Sequence, residues 1–149
     1  MQVLSQGQQN VELIVPVEAA DPGIFTQDAS GVGPGAILNQ DSTVNTPFNP
    51  AARGSTVVLF ATGSGLTTPS SIEGQVSTEP LPKSVLPVFV QIGGFDAEVL
   101  YAGAAPGLLA GILQVDCLVP ANVASGYSVP VVLTVGAAIS QAGVTVAIQ

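Results

Sequence analysis

Val88-Phe89-Val90-Gln91-Ile92-Gly93-Gly94-Phe95-Asp96-Ala97-Glu98-Val99 alternates apolar and polar side chains on both sides of a glycine pair. A two-residue hairpin turn of type I′ needs positive φ at both central positions, and glycine adopts it without steric cost. The stretch therefore reads as a β-hairpin whose register is set by its turn. Ile92 falls opposite Phe95, Val90 opposite Ala97 and Val88 opposite Val99. That register gathers the apolar residues on one face and leaves Gln91, Asp96 and Glu98 on the other, with Phe89 as the one misfit.

Working outward, the same period of two recurs in Val11 to Val17, Tyr127 to Val135 and Val144 to Ile148, and each reads as a strand. Thr56 to Ala61 is apolar on both sides and predicts a strand covered on both faces. Helical period is missing, and 17 glycines and 12 prolines interrupt the chain too often for a long helix. The pattern predicts an all-β antiparallel sandwich of seven to nine strands. Its core is drawn from Val57, Leu59, Val88, Val90, Val99, Leu113, Val115, Val131, Leu133, Val146 and Ile148. Two connections stand out. Thr62 to Ser84 is long for a structureless loop and has room for a short strand. Ala102 to Ala110 is apolar although it reads as a loop, and is expected to be buried beneath the sandwich, with a partner-facing patch at Leu108 and Leu109 as the competing reading.

Composition removes most chemistry. The 149 residues include no histidine, no tryptophan, one cysteine and two basic side chains, Arg53 and Lys83, so triads and imidazole bases have no members. Ser64 lies between Gly63 and Gly65, whereas a nucleophile elbow needs its glycines two residues away on each side. A pair of carboxylates set for glycoside hydrolysis is a matter of spatial separation that sequence does not give. Asn39, Asp41, Thr43 and Asn45 alternate like the opening of a calcium loop, but Val44 replaces the turning glycine and no distal glutamate follows. An Asx-type turn is expected there, and no metal or cofactor is assigned. Lys83 reads as a solvated loop lysine, and Cys117, in line with Leu113, Val115 and Val119, as a packed thiol.

The net charge of −8 disfavours nucleic acid, and every apolar run ends well short of the roughly 20 residues of a spanning helix. The hydrophobic content of 47% excludes disorder by composition. The chain also echoes itself. Leu4-Ser5-Gln6 precedes the strand from Val11, and Ile139-Ser140-Gln141 precedes the strand from Val144. Residues 1–20 are therefore expected to be a strand segment from a preceding unit, or one donated to a neighbour, and residues 21–149 to be the sandwich.

Asp21-Pro22-Gly23-Ile24-Phe25-Thr26, Gly35-Ala36-Ile37-Leu38-Asn39-Gln40-Asp41, Asn49-Pro50-Ala51-Ala52-Arg53-Gly54-Ser55 and Tyr101-Ala102-Gly103-Ala104-Ala105-Pro106-Gly107 together carry a likeness. Over about residues 20–149 the chain resembles the Solibacter-type C-terminal domain of secreted acidobacterial proteins. The resemblance implies an immunoglobulin-like sandwich at the end of a long exported protein and implies no activity. The expectation is a non-enzymatic extracellular or cell-surface module, structural or adhesive, that binds protein partners including copies of itself. Val11, Leu13, Val15, Val17, Leu108 and Leu109 are its candidate contact residues. The alternative is a glycan-binding module, against which stands the small number of aromatic side chains, most of them assigned to strands or the core.

Overall fold

The structure is a computed structural model that describes residues 17–149, preceded by a small antiparallel ladder of β1 (Leu4–Ser5) with β2 (Gln8–Gln9). The described chain continues through the short β3 (Gly23–Ile24), β4 (Gly33–Pro34) and β5 (Ile37–Asn39) to β6 (Thr56–Thr62). Next come β7 (Thr67–Thr68), β8 (Lys83–Ser84), β9 (Val88–Ile92), β10 (Phe95–Ala97), β11 (Val99–Ala104) and β12 (Leu113–Leu118). It closes with β13 (Gly126–Val135), β14 (Ala138–Ile139) and β15 (Val144–Ile148). These make a six-stranded sheet in the order β10-β9-β13-β15-β4 with β14 beside β13. A seven-stranded sheet runs β3-β6-β12-β11-β8-β7, with β5 also on β6. The described residues form no helix, and every ladder is antiparallel except β15 with β4. The strand count exceeds the expected seven to nine because two- and three-residue pieces, too brief to show a period, join the sheet margins.

The hairpin forms as its glycines require. Gly93 and Gly94 have φ of 62° and 83°, and the register is Phe95 with Ile92, Asp96 with Gln91 and Ala97 with Val90. The ladder stops there, which corrects the expected pairing of Val88 with Val99. Val99 pairs with Cys117 in the other sheet, and Val88 pairs with Val135. The chain changes sheets at the exposed Glu98, whose carbonyl accepts from the Leu118 amide at 2.9 Å, and a register shift between Val99 and Tyr101 supplies the bend. Alternation continues across the break because both sheets turn their apolar faces to the same interior.

That interior holds Val57, Leu59, Val90, Leu113, Val115, Cys117, Val131, Leu133, Val146 and Ile148, all buried, with Val88 and Val99 half-buried against it. β6 departs from expectation. Val57, Leu59 and Ala61 face the core, but Val58 and Phe60 are only half-covered. The long connection after β6 does contain short strands, β7 and β8, which pair with each other.

Two side-chain amides join the sheets. Asn45, 3% exposed, donates from Nδ2 to the Ala147 carbonyl and to Asn39 Oδ1, both at 2.9 Å, and accepts the Ala147 amide on Oδ1 at 2.8 Å. Gln141 treats Ile24 in the same way, accepting its amide at 3.0 Å and donating to its carbonyl at 2.6 Å. A primary amide offers the same donor and acceptor pair as a peptide group, so each side chain acts as a one-residue strand.

Apolar surfaces at the two ends of the sandwich

Strand registers place three parts of the chain at one end. Gly23 faces Thr62, Ala61 faces Leu113, and Leu113 faces Ala104, so the entering residues 17–22 lie beside the loops after β6 and after β11. The Asp21 amide donates to the Gly63 carbonyl at 3.0 Å. Gly63 and Gly65 have φ of 76° and 71°, and a Cβ on either would overlap the carbonyl of Asp21 or of Ala19 respectively. Only glycine lets the entering chain lie this close.

The two loops are stitched into a ribbon. The Ser77 amide donates to Leu108 at 2.8 Å, Gly107 to Ser77 at 3.0 Å and Ala110 to Gln75 at 2.8 Å. The ribbon satisfies its backbone while sending apolar side chains outward: Leu66, Ile72, Val76, Leu108 and Leu109 are all exposed. Between Leu66, Ala104, Ala110 and Ile112 runs an open cleft of about 390 Å³. The expected burial of Ala102 to Ala110 holds only for its first part. Ala102 to Ala104 finish β11, and Ala104 and Ala105 are buried, whereas Leu108 and Leu109 are 41% and 54% exposed. Val17 is exposed at this entry, and the other candidates, Val11, Leu13 and Val15, lie outside the described residues.

The chain leaves at the opposite end. Ile148 faces Gly126, and the Gln149 amide donates to Ala51 at 2.9 Å, close to the start of β6. Thr46 and Asn49 exchange backbone hydrogen bonds around Pro47-Phe48, a tight turn that Pro47 favours by fixing φ at its second position. Phe48 stands at the tip with 99% of its surface exposed, and Tyr127 lies at the same end with 68% exposed. Pro47, Pro50, Tyr127 and Ile148 line a cleft of about 550 Å³ there. The pattern of alternation gave no notice of Phe48, although a phenylalanine between two prolines, outside any strand, is itself a sign of display.

Five of the seven aromatic side chains lie in strands, in line with the expectation, and none joins the buried core: Phe25, Phe48, Phe89, Phe95 and Tyr127 are exposed, and Phe60 and Tyr101 are half-buried. For Phe60, Phe89 and Tyr101 alternation is the reason, since in their strands they alternate with the inward-facing residues.

Reactive chemistry is muted. Burial, and secondarily the Asp116 carboxylate, push the Cys117 thiol up to about 12, so it stays protonated and inert. Asp41 forms the expected Asx turn, its Oδ1 accepting the Thr43 hydroxyl at 2.6 Å and the Thr43 amide at 3.0 Å; these bonds lower its pKa. Lys83 is exposed as expected but sits in β8, opposite Gly103, rather than in a loop. Among the described residues no three of His, Cys, Asp or Glu gather as metal ligands. No family model, curated protein or solved structure matches the chain.

Proposed function

We propose that the chain is a non-enzymatic extracellular module of immunoglobulin-like build, structural or adhesive, that serves as one link in a series. The observation that carries this reading is the placement of chain entry and exit at opposite ends of the sandwich, each beside exposed apolar side chains. A contiguous apolar patch, unlike a single exposed side chain, is a mark of an interaction surface, and Leu66, Leu108 and Leu109 gather at the entry end. The lack of histidine and the protonated Cys117 support a non-catalytic role, and the resemblance to domains of exported proteins supports the location. Donation of Val11 to Val17 to a neighbouring sheet is a second route to assembly. The outer strands offer it little, since β3, β4 and β7 have two residues each and β10 three.

Fractionation of producing cells tests the location: the chain is expected outside the cytoplasmic membrane, and recovery from the cytosol refutes the reading. Glycan binding is the second reading, favoured by Phe89, exposed on the outer face of the hairpin, where an aromatic ring can stack on a sugar. Binding on a glycan array that Phe89→Ala removes would establish it; a blank array sets it aside.

A further inference from the structure

The connection from Thr62 to Ser84 is rich in serine, threonine and proline, and its hydroxyls divide into two sets. One set works inward. Thr67 Oγ1 donates to the Pro69 carbonyl at 3.1 Å and accepts the Ser71 amide at 3.1 Å, Ser84 Oγ donates to the Leu86 carbonyl at 3.0 Å, and Ser77 is buried. The other set is displayed. Thr68, Ser70 and Thr78 are exposed, and they contribute none of the side-chain hydrogen bonds that this loop makes among the described residues. Proline accounts for part of the difference. A serine or threonine hydroxyl commonly turns back to the amide two residues on, and for Thr78 that position is Pro80, which has no amide hydrogen.

We propose that Thr68, Ser70 and Thr78 are acceptors of O-linked sugar. The inference rests on the reading of the chain as exported, because segments rich in serine, threonine and proline carry such sugars on exported proteins. In the transfer, the hydroxyl oxygen bonds to the anomeric carbon of a sugar activated as its nucleotide or lipid phosphate. The bond from that carbon to the phosphate oxygen breaks, the phosphate leaves with the electron pair, and a base of the transferase takes the hydroxyl proton. The surroundings suit a neutral sugar better than a phosphate. Ser70, Thr78 and Glu79 line one cleft of about 190 Å³, where a phosphate would meet the Glu79 carboxylate. Of the chain's two bases, Arg53 is bonded to the Val123 carbonyl and Lys83 stands across the ladder from Thr68. A sugar meets no such repulsion, and its C–H face can lie on Ile72 and Val76, the exposed apolar side chains of the same cleft.

Trypsin isolates the segment, since Arg53 and Lys83 are the only basic side chains and residues 54–83 leave as one peptide. Its mass is read on chain recovered from producing cells, in whichever fraction holds it. Peptide 54–83 is expected to be heavier than its sequence by whole sugar residues, released by alkaline β-elimination. Thr68→Ala, Ser70→Ala and Thr78→Ala together should abolish the gain with the melting midpoint of the sugar-free chain unchanged, because all three side chains are exposed. If the triple variant does not fold, each single variant should lose the sugar at its own position in fragment spectra. A peptide at its sequence mass overturns the inference, as does a gain that survives these substitutions or one that a phosphatase removes. The fraction holding the chain decides the exported reading and the peptide mass decides the sugar, so the two fail separately.

Discussion

Asn45→Ala isolates the contribution of one side-chain amide to holding the sheets together. The substitution removes three hydrogen bonds and leaves an uneven set of orphans. The Ala147 carbonyl keeps a partner, because it also accepts the Ala51 amide at 2.9 Å. The Ala147 amide and Asn39 Oδ1 keep none, and both residues are buried. An orphaned buried polar group costs roughly 1–3 kcal/mol, so the two together predict a loss of about 2–6 kcal/mol, with a small cavity adding to it. Against a typical stability of about 5–15 kcal/mol that is a large fraction. Urea unfolding measures it, and the midpoint should fall while the slope stays constant. Thr43→Ala, which removes an exposed hydroxyl from the neighbouring Asx turn, should cost about 1 kcal/mol or less. Equal losses from the two variants would show that Asn45 is not the link between the sheets.

Further expectations follow from the hairpin, the thiol and the leading segment. Val90→Asp buries an unpaired charge and should unfold the domain, whereas Gln91→Lys on the outer face should shift stability by no more than about 0.5 kcal/mol; circular dichroism melts compare them, and like effects would invert the faces. Cys117 should resist thiol reagents until denaturant is added, and rapid labelling of native protein would contradict its burial. Its folded pKa is raised, so its contribution to stability is complete below the unfolded thiol's pKa of about 9 and is lost as pH rises toward 12. The thiol's share of that loss has a limiting slope of about 1.4 kcal/mol per pH unit. Cys117→Ala should flatten that alkaline slope; an unchanged slope assigns it to other groups. Deleting residues 1–17 should leave a folded sandwich, because residues 20–149 already supply both sheets and the buried cluster between them, and loss of the melting transition would refute this.

The hairpin and the core were legible because a period of two and a glycine pair are local signals, complete within a dozen residues. The sheet change at Glu98 was not, since Val99 keeps its inward phase on either side of it and only the partner differs. Asn45 and Gln141 were visible only as an alternating oxygen and as part of an echo. Their partners stand 102 and 117 residues away, and no local pattern encodes such a distance. Leu108 and Leu109 are exposed where burial of their apolar loop was the first expectation, because composition marks a loop as apolar without saying which side of it faces out. Phe48 and Tyr127 escaped because hydrophobicity alone predicts interior, and only the lack of space inside an interior already filled with aliphatic side chains sends them out.

A tensile load illustrates what the opposed termini and the Gln141 amide do together. Pulled between entry and exit, the sandwich is stretched along its strands, so the bonds of β15 to β13 bear force in shear and share it, instead of opening one after another. Gln141 adds a direct route for that force. It fastens Ile24, in the first strand of the sandwich, to the head of the last, so part of the load passes from entry to exit through one side chain and bypasses the core. The proposed role as a link would place that brace along the line of pull.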